Sequence, residues 1–138
     1  MKTPDDLSRI APEPIELFED DRGALWKVLK AGRLPKDSAL GELYTLFSRK
    51  GAARGNHYHK ATAEWFCVVQ GTVRCKLALP STGARAEYVL HGKRPSLIRI
   101  PPGVAHSLVT ESDETSIVLA YADRAYDEAN PDAVPFDF

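Results

Sequence analysis

The chain has 138 residues, a hydrophobic fraction of 43% and a charged fraction of 27%, which fits one ordinary folded domain, excludes a disordered chain, and leads to the expectation of one compact core and not a two-lobed enzyme. A formal net charge of −1 exerts no global pull on nucleic acid or anionic lipid, so neither is expected as a partner. No apolar run approaches the roughly 18 residues of a membrane span, and the opening Met1-Lys2-Thr3-Pro4-Asp5-Asp6 lacks a signal peptide's apolar stretch, so a cytoplasmic location is expected.

Residues 1–14 carry Pro4, Pro12 and Pro14 among charges and read as a tail or edge segment outside the core, leaving 15–138 as the single domain. From there the chain reads as short strands rich in Val, Ile, Leu, Tyr and Phe: 15–18, 24–30, 40–48, 54–59, 63–70, 72–79, 86–90, 96–100, 104–110 and 115–122. Turn chemistry separates them at Asp20-Asp21-Arg22-Gly23, Gln70-Gly71, Pro80-Ser81-Thr82-Gly83, His91-Gly92-Lys93 and Pro101-Pro102-Gly103. Helix is expected only as short pieces near 35–39 and 124–129. Evenly spaced strands with so little helix predict an all-β sandwich or barrel. Cys67 and Cys75 are too few for a disulfide scaffold and are expected to be reduced thiols.

Three of the four histidines fall into one pattern with a glutamate: Gly51, His57-Tyr58-His59, Glu64 and Gly71, then Pro101-Pro102-Gly103 and His106. Alternate residues of a strand face one side, so His57 and His59 point together and Tyr58 away. A tight turn at 60–62 would let Glu64, Phe66 and Val68 share that face on the next strand, with Cys67 on the other. The Pro-Pro-Gly bend then aims His106 at them from across the barrel. Three imidazoles and one carboxylate around a divalent ion leave positions open, the layout of a reactive site. His91 lies in a polar turn and is expected to be solvated.

Residues 51–71 and 101–110 resemble the two motifs of the cupin superfamily, which implies an antiparallel jelly roll with the metal inside. The usual closing asparagine of the second motif is replaced by Thr110 and its usual opening glycine by Pro95; neither position is a ligand. A narrower resemblance rests on Phe18-Glu19-Asp20-Asp21-Arg22-Gly23, Arg54-Gly55-Asn56-His57-Tyr58-His59-Lys60 and Tyr126-Asp127-Glu128-Ala129-Asn130-Pro131-Asp132. These are similar to the nucleotide-sugar cupins: deoxysugar 3,5-epimerases, sugar 3,4-ketoisomerases and the cupin domain of capsular-polysaccharide epimerase-reductases. The resemblance implies a sugar pocket lined by the Arg-Gly-x-His segment, with His57 as the base in members without metal and as a zinc ligand in members like the capsular domain.

The expected chemistry is removal of a proton beside the carbonyl of a nucleotide-linked keto sugar, stabilisation of the enolate oxygen, and return of a proton. The expected cofactor is a divalent metal ion, zinc first, with iron, manganese or nickel as alternatives, held by His57, His59, Glu64 and His106. His57, Tyr44 and Lys60 are the candidates for moving protons, although Tyr44 could equally pack in the core and Lys60 sit in a solvated turn. Arg54, Arg74 and Lys76 are the candidates for the substrate's diphosphate, the last two being equally readable as the wet face of an amphipathic strand. A metal-dependent dioxygenase and a non-catalytic sugar- or metabolite-binding cupin are the competing functions. A homodimer is expected, built through an exchanged N-terminal strand or the outward face that carries Trp65, Cys67 and Val69.

Overall fold

Alternation of side chains between the two faces of each strand sets the architecture. In the computed structural model, which describes residues 3–138, the strands are β1 (Glu13–Pro14), β2 (Glu16–Asp20), β3 (Gly23–Lys27), β4 (Glu42–Ser48), β5 (Ala53–His59), β6 (Glu64–Gln70), β7 (Thr72–Ala78), β8 (Arg85–His91), β9 (Ser96–Ile100), β10 (Ala105–Thr110), β11 (Ser116–Ala122) and β12 (Ala133–Pro135). They form two antiparallel five-stranded sheets, β1-β9-β6-β11-β4 and β12-β5-β10-β7-β8, while β2 and β3 make a separate hairpin. The expected all-β class is the one observed. Phe66, Val68, Ile98, Ile100, Val118 and Ala120 from the first sheet meet Val73, Cys75, Leu77, Leu90 and Leu108 from the second, the interdigitated core of a sandwich.

Several expectations need correction. Leu7 and Ile10 are 7% and 5% exposed and belong to the core, although prolines and charges surround them. Two isolated apolar side chains are enough to anchor the segment to the core, and β1 then joins the first sheet at its edge beside β9. Among the described residues the only helical element is a 3₁₀ turn at Ala31–Arg33. At 35–39 a single turn closes with Ser38 N–H donating to the Pro35 carbonyl, too short to propagate. At 124–129 the Asp127 carboxylate accepts from Ala129 N–H and so offers the backbone an alternative to helix.

The outward face of β6 is also different from expectation. Trp65 and Cys67 do point away from the barrel interior, but they are 2% and 0% exposed because Ile15, Val28, Leu29 and Leu34 of the same chain pack over them. That face is therefore closed without a second copy. Burial pushes the Cys67 thiol up to about 11 and Cys75 up to about 12, so both stay protonated and unreactive.

Candidate metal centre and cavity

The site is made by a break in strand regularity. β5 pairs with β10 so that His57 faces His106 while Gly55 faces Ser107, leaving Asn56 as an extra residue. Gly55 and Asn56 both have positive φ, 98° and 54°, and a Cβ on Gly55 would sit 2.7 Å from the His106 carbonyl oxygen. Glycine is thus required by conformation and by space at once. The bulge has a direct consequence for function. Arg54 and His57, three positions apart, would face opposite sides of a regular strand, yet both line the same cavity.

His57 and His59 come from the end of β5, and His106 from β10 beside it in the same sheet. Glu64 opens β6 in the facing sheet. It is therefore the glutamate, not His106, that reaches in from across the barrel. Gly103 N–H donates to the His59 carbonyl at 2.8 Å, which pins the Pro-Pro-Gly bend to the ligand strand. One ligand atom from each of His57, His59, Glu64 and His106 lies within 4.8 Å of the others.

The four side chains converge on a point more than they bond to one another. His59 Nε2 and His106 Nε2 stand 2.8 and 3.2 Å from Glu64 Oε1, yet both His59 nitrogens and Glu64 Oε1 are buried with no hydrogen bond of acceptable geometry. The His57 ring stands nearly perpendicular to His106, with centroids 4.9 Å apart. Buried polar atoms without partners are costly. A divalent ion bound by imidazole nitrogens and a carboxylate would satisfy His59 Nε2 and Glu64 Oε1 together, and the donor set fits one.

Electrostatics favour the same state. Burial, then the neighbouring His106 and His59, lowers His57 to about 4, so its imidazole is neutral and available as a lone-pair donor. Burial also acts against charge on Glu64 and His59, but it is outweighed: His106 and His59 hold Glu64 well below the usual carboxylate range, and Glu64 with Asp132 raises His59. Tyr44, on β4, donates its phenolic O–H to Glu64 Oε2. Burial first, and then the Glu64 charge, keeps that phenol protonated.

The cluster forms one wall of a cavity of about 740 Å³. Arg54 lines it, with Nε donating to Ser48 Oγ at 3.1 Å and a terminal nitrogen to the Phe47 carbonyl at 3.2 Å; both partners are uncharged, and no carboxylate pairs with it among the described residues. Arg124, Tyr126, Asp127 and Asp132, from the segment after β11, also line it. The sequence reading missed Arg124 and did not single out Asp132, since a lone charge in a non-repeating tail carries no periodic signal.

Three candidates fall outside the cavity. Arg74 points to the outer face of its sheet, where it pairs with Glu111 and Glu87. Lys76 shares that outer face and lines a separate groove with Phe136 and Phe138. The inward positions of β7 are taken by Val73, Cys75 and Leu77, so alternation forces both cations out. Lys60 is an exposed residue of the 60–62 turn and does not line the cavity.

Comparison with known proteins places this geometry in context. The sequence profile of the polysaccharide biosynthesis C-terminal domain family matches residues 18–134. A UDP-2-acetamido-2,6-beta-L-arabino-hexul-4-ose reductase of Pseudomonas aeruginosa is 29% identical over 118 residues, 86% of this chain and 30% of that protein. Capsular polysaccharide assembling protein CapF from Staphylococcus aureus superposes with a TM-score of 0.70 at 23% identity, over 91% of this chain and 35% of CapF. A dTDP sugar isomerase from Desulfovibrio desulfuricans G20 gives 0.81 at 18% identity, over 94% of this chain and 85% of that one. The chain spans about a third of the reductase and of CapF, and the fold is the cupin jelly roll these structures share.

Proposed function

The chain belongs to the polysaccharide biosynthesis C-terminal domain family, and we propose that it is a metal-holding cupin that epimerises or isomerises a nucleotide-linked keto sugar. The observation that carries this reading is the convergence of His57, His59, Glu64 and His106 within 4.8 Å on the wall of a cavity that also displays Arg54 and Arg124. A bound divalent ion, zinc first and iron, manganese or nickel as alternatives, would supply Lewis acidity to an enolate oxygen. The relatives support the substrate class, since two of them are named for a UDP-linked and a dTDP-linked sugar.

The chain's own residues divide the remaining work. Arg54 and Arg124 would take the diphosphate, as guanidinium groups suit phosphate oxygens and neither is paired to a carboxylate among the described residues. His57, held near 4, is poorly matched to the task of a general base at neutral pH and well matched to ligation. Tyr44 orients Glu64 and is the protonated group on the cavity wall from which a proton can return to the sugar; the proton beside the ketone leaves to solvent, which in turn reprotonates Tyr44. Lys60, Arg74 and Lys76 have no part in this scheme.

Candidate 4-keto nucleotide sugars incubated with the protein in deuterated water test the reading. Solvent deuterium is expected at the carbon beside the ketone, and Arg54→Ala should weaken sugar binding without lowering metal content. Oxygen consumption by the iron-loaded protein with a diketone or thiol, and no exchange with any sugar, would replace this function with the dioxygenase. Binding of a sugar with no exchange would leave a binding cupin.

We also infer a homodimer in which the β2–β3 hairpin covers β4 of a second copy. Leu17, Phe18 and Leu25 on the hairpin are 45%, 52% and 57% exposed, and Leu43 and Phe47 on β4 are 72% and 60% exposed. β4 is also the unpaired end of its sheet, an edge that invites strand addition. A lone two-stranded hairpin is marginal by itself. Sedimentation should show a dimer at micromolar concentration that Leu43→Glu dissociates; a monomeric parent would refute it.

A further inference from the structure

We propose that Asp132 is the positioning residue of the metal centre, fixing the orientation of His59 and the span between His59 and Glu64; the inference rests on the metal-binding reading. Asp132 directly precedes β12, whose Ala133 pairs with His59 and whose Pro135 pairs with His57. Its carboxylate therefore lies beside the ligand-bearing end of β5. There it accepts hydrogen bonds from Ala61 N–H at 3.1 Å, Thr62 N–H at 2.9 Å and Thr62 Oγ at 2.7 Å. The turn it clamps joins the two ligands.

The same carboxylate faces the ligand itself. Asp132 Oδ2 lies 3.6 Å from His59 Nδ1, while His59 Nε2 is the nitrogen turned toward Glu64. The two ring nitrogens thus address two different carboxylates, one inside the cluster and one behind it. Closing the 3.6 Å gap by a few tenths of an ångström on metal binding would make Nδ1–H a donor to Asp132 and leave the Nε2 lone pair aimed at the ion. Among the described residues, the His106 Nδ1 is backed by a neutral group, the Val104 carbonyl at 3.4 Å. Asp123 supplies an internal control, because it caps the adjoining Ala63 N–H at 2.9 Å and has no contact with His59.

The test titrates the full chain with zinc against a competing chelator for the parent, Asp132→Asn, Thr62→Val and Asp123→Asn, with ¹⁵N shifts of the His59 ring recorded on the zinc-loaded parent. Asp132→Asn is expected to lower zinc affinity by about 10- to 100-fold, the usual loss on removing such an outer partner. Thr62→Val and Asp123→Asn, which disturb the turn but leave the charge behind His59, should lose much less. The parent should carry the His59 proton on Nδ1, a readout that stands even where Asp132→Asn does not fold. Parental affinity in Asp132→Asn, equal losses in all three variants, or a proton on Nε2 would each overturn the inference. A parent that takes up no zinc would overturn the metal reading, and this inference with it.

Discussion

The interior of this barrel has two halves made from the same strands by the same alternation, and they end in opposite states. On β6 the inward series is Glu64, Phe66, Val68, and on β10 it begins His106, Leu108; in each case the first residue belongs to the ligand cluster and the later ones to the core. Where the inward residues are apolar the sheets close on one another. Where they are imidazole and carboxylate, buried atoms stay without hydrogen-bond partners and a cavity of about 740 Å³ remains. One half stabilises the fold and the other leaves unsatisfied donors and acceptors on a cavity wall.

The comparison is sharpened first by Ile98→Ala in the packed half. Ile98 is 0% exposed, so the variant should lose about 2–5 kcal/mol of stability, read as a lowered denaturant midpoint, with zinc affinity unchanged. A matching loss of zinc binding would show that the two halves are not independent.

The ligand half should respond instead to pH. The metal-free protein should lose about 1–2 kcal/mol, after allowance for solvent screening of a half-buried ring, as pH falls from about 6.5 to about 4, because His57 binds its proton in the unfolded chain near 6.5 and in the folded one only near 4. His59 does not offset this: its folded value is raised, so its contribution is already complete below 6.5. Glu64, held low, loses its contribution only in stronger acid. Thermal melts across that window should flatten in His57→Gln, and an equally steep profile in the variant would assign the effect elsewhere.

Gly55→Ala probes the bulge that links the halves. The positive φ and the 2.7 Å approach to the His106 carbonyl predict a loss of about 1–3 kcal/mol, together with weaker zinc binding as His106 is displaced. Smallest of all is Arg74→Gln. Its ion pairs with Glu87 and Glu111 lie on the outer face, where such pairs contribute little, so melting temperature and sugar binding should both match the parent.

Much of this was legible in the sequence because the strand period is short and local. The parity of His57, His59, Glu64 and Phe66 follows from spacing alone, and the spacing of Pro101-Pro102-Gly103 and His106 completes the ligand set. What was not legible depends on long-range placement. The clustering of Leu7 and Ile10 in the core, the covering of Trp65 by Leu29 and Leu34, and the pairing of β12 with β5 leave no periodic trace. Arg74 and Lys76 were readable both as phosphate ligands and as a wet face, and only the register of β7 against β10 separates the two. Arg54 reached the cavity through a bulge that alternation by itself does not anticipate.

The central claim, that the polar half of the barrel is a metal site serving the cavity, is tested most directly by zinc titration of the parent and Glu64→Gln with a competing chelator. Apparent zinc-binding energies of about 10–16 kcal/mol spread over four ligands predict stoichiometric binding in the parent and a loss of roughly 70- to 900-fold in the variant. Equal affinity in both proteins, or a parent that takes up neither zinc nor another divalent ion, would contradict it.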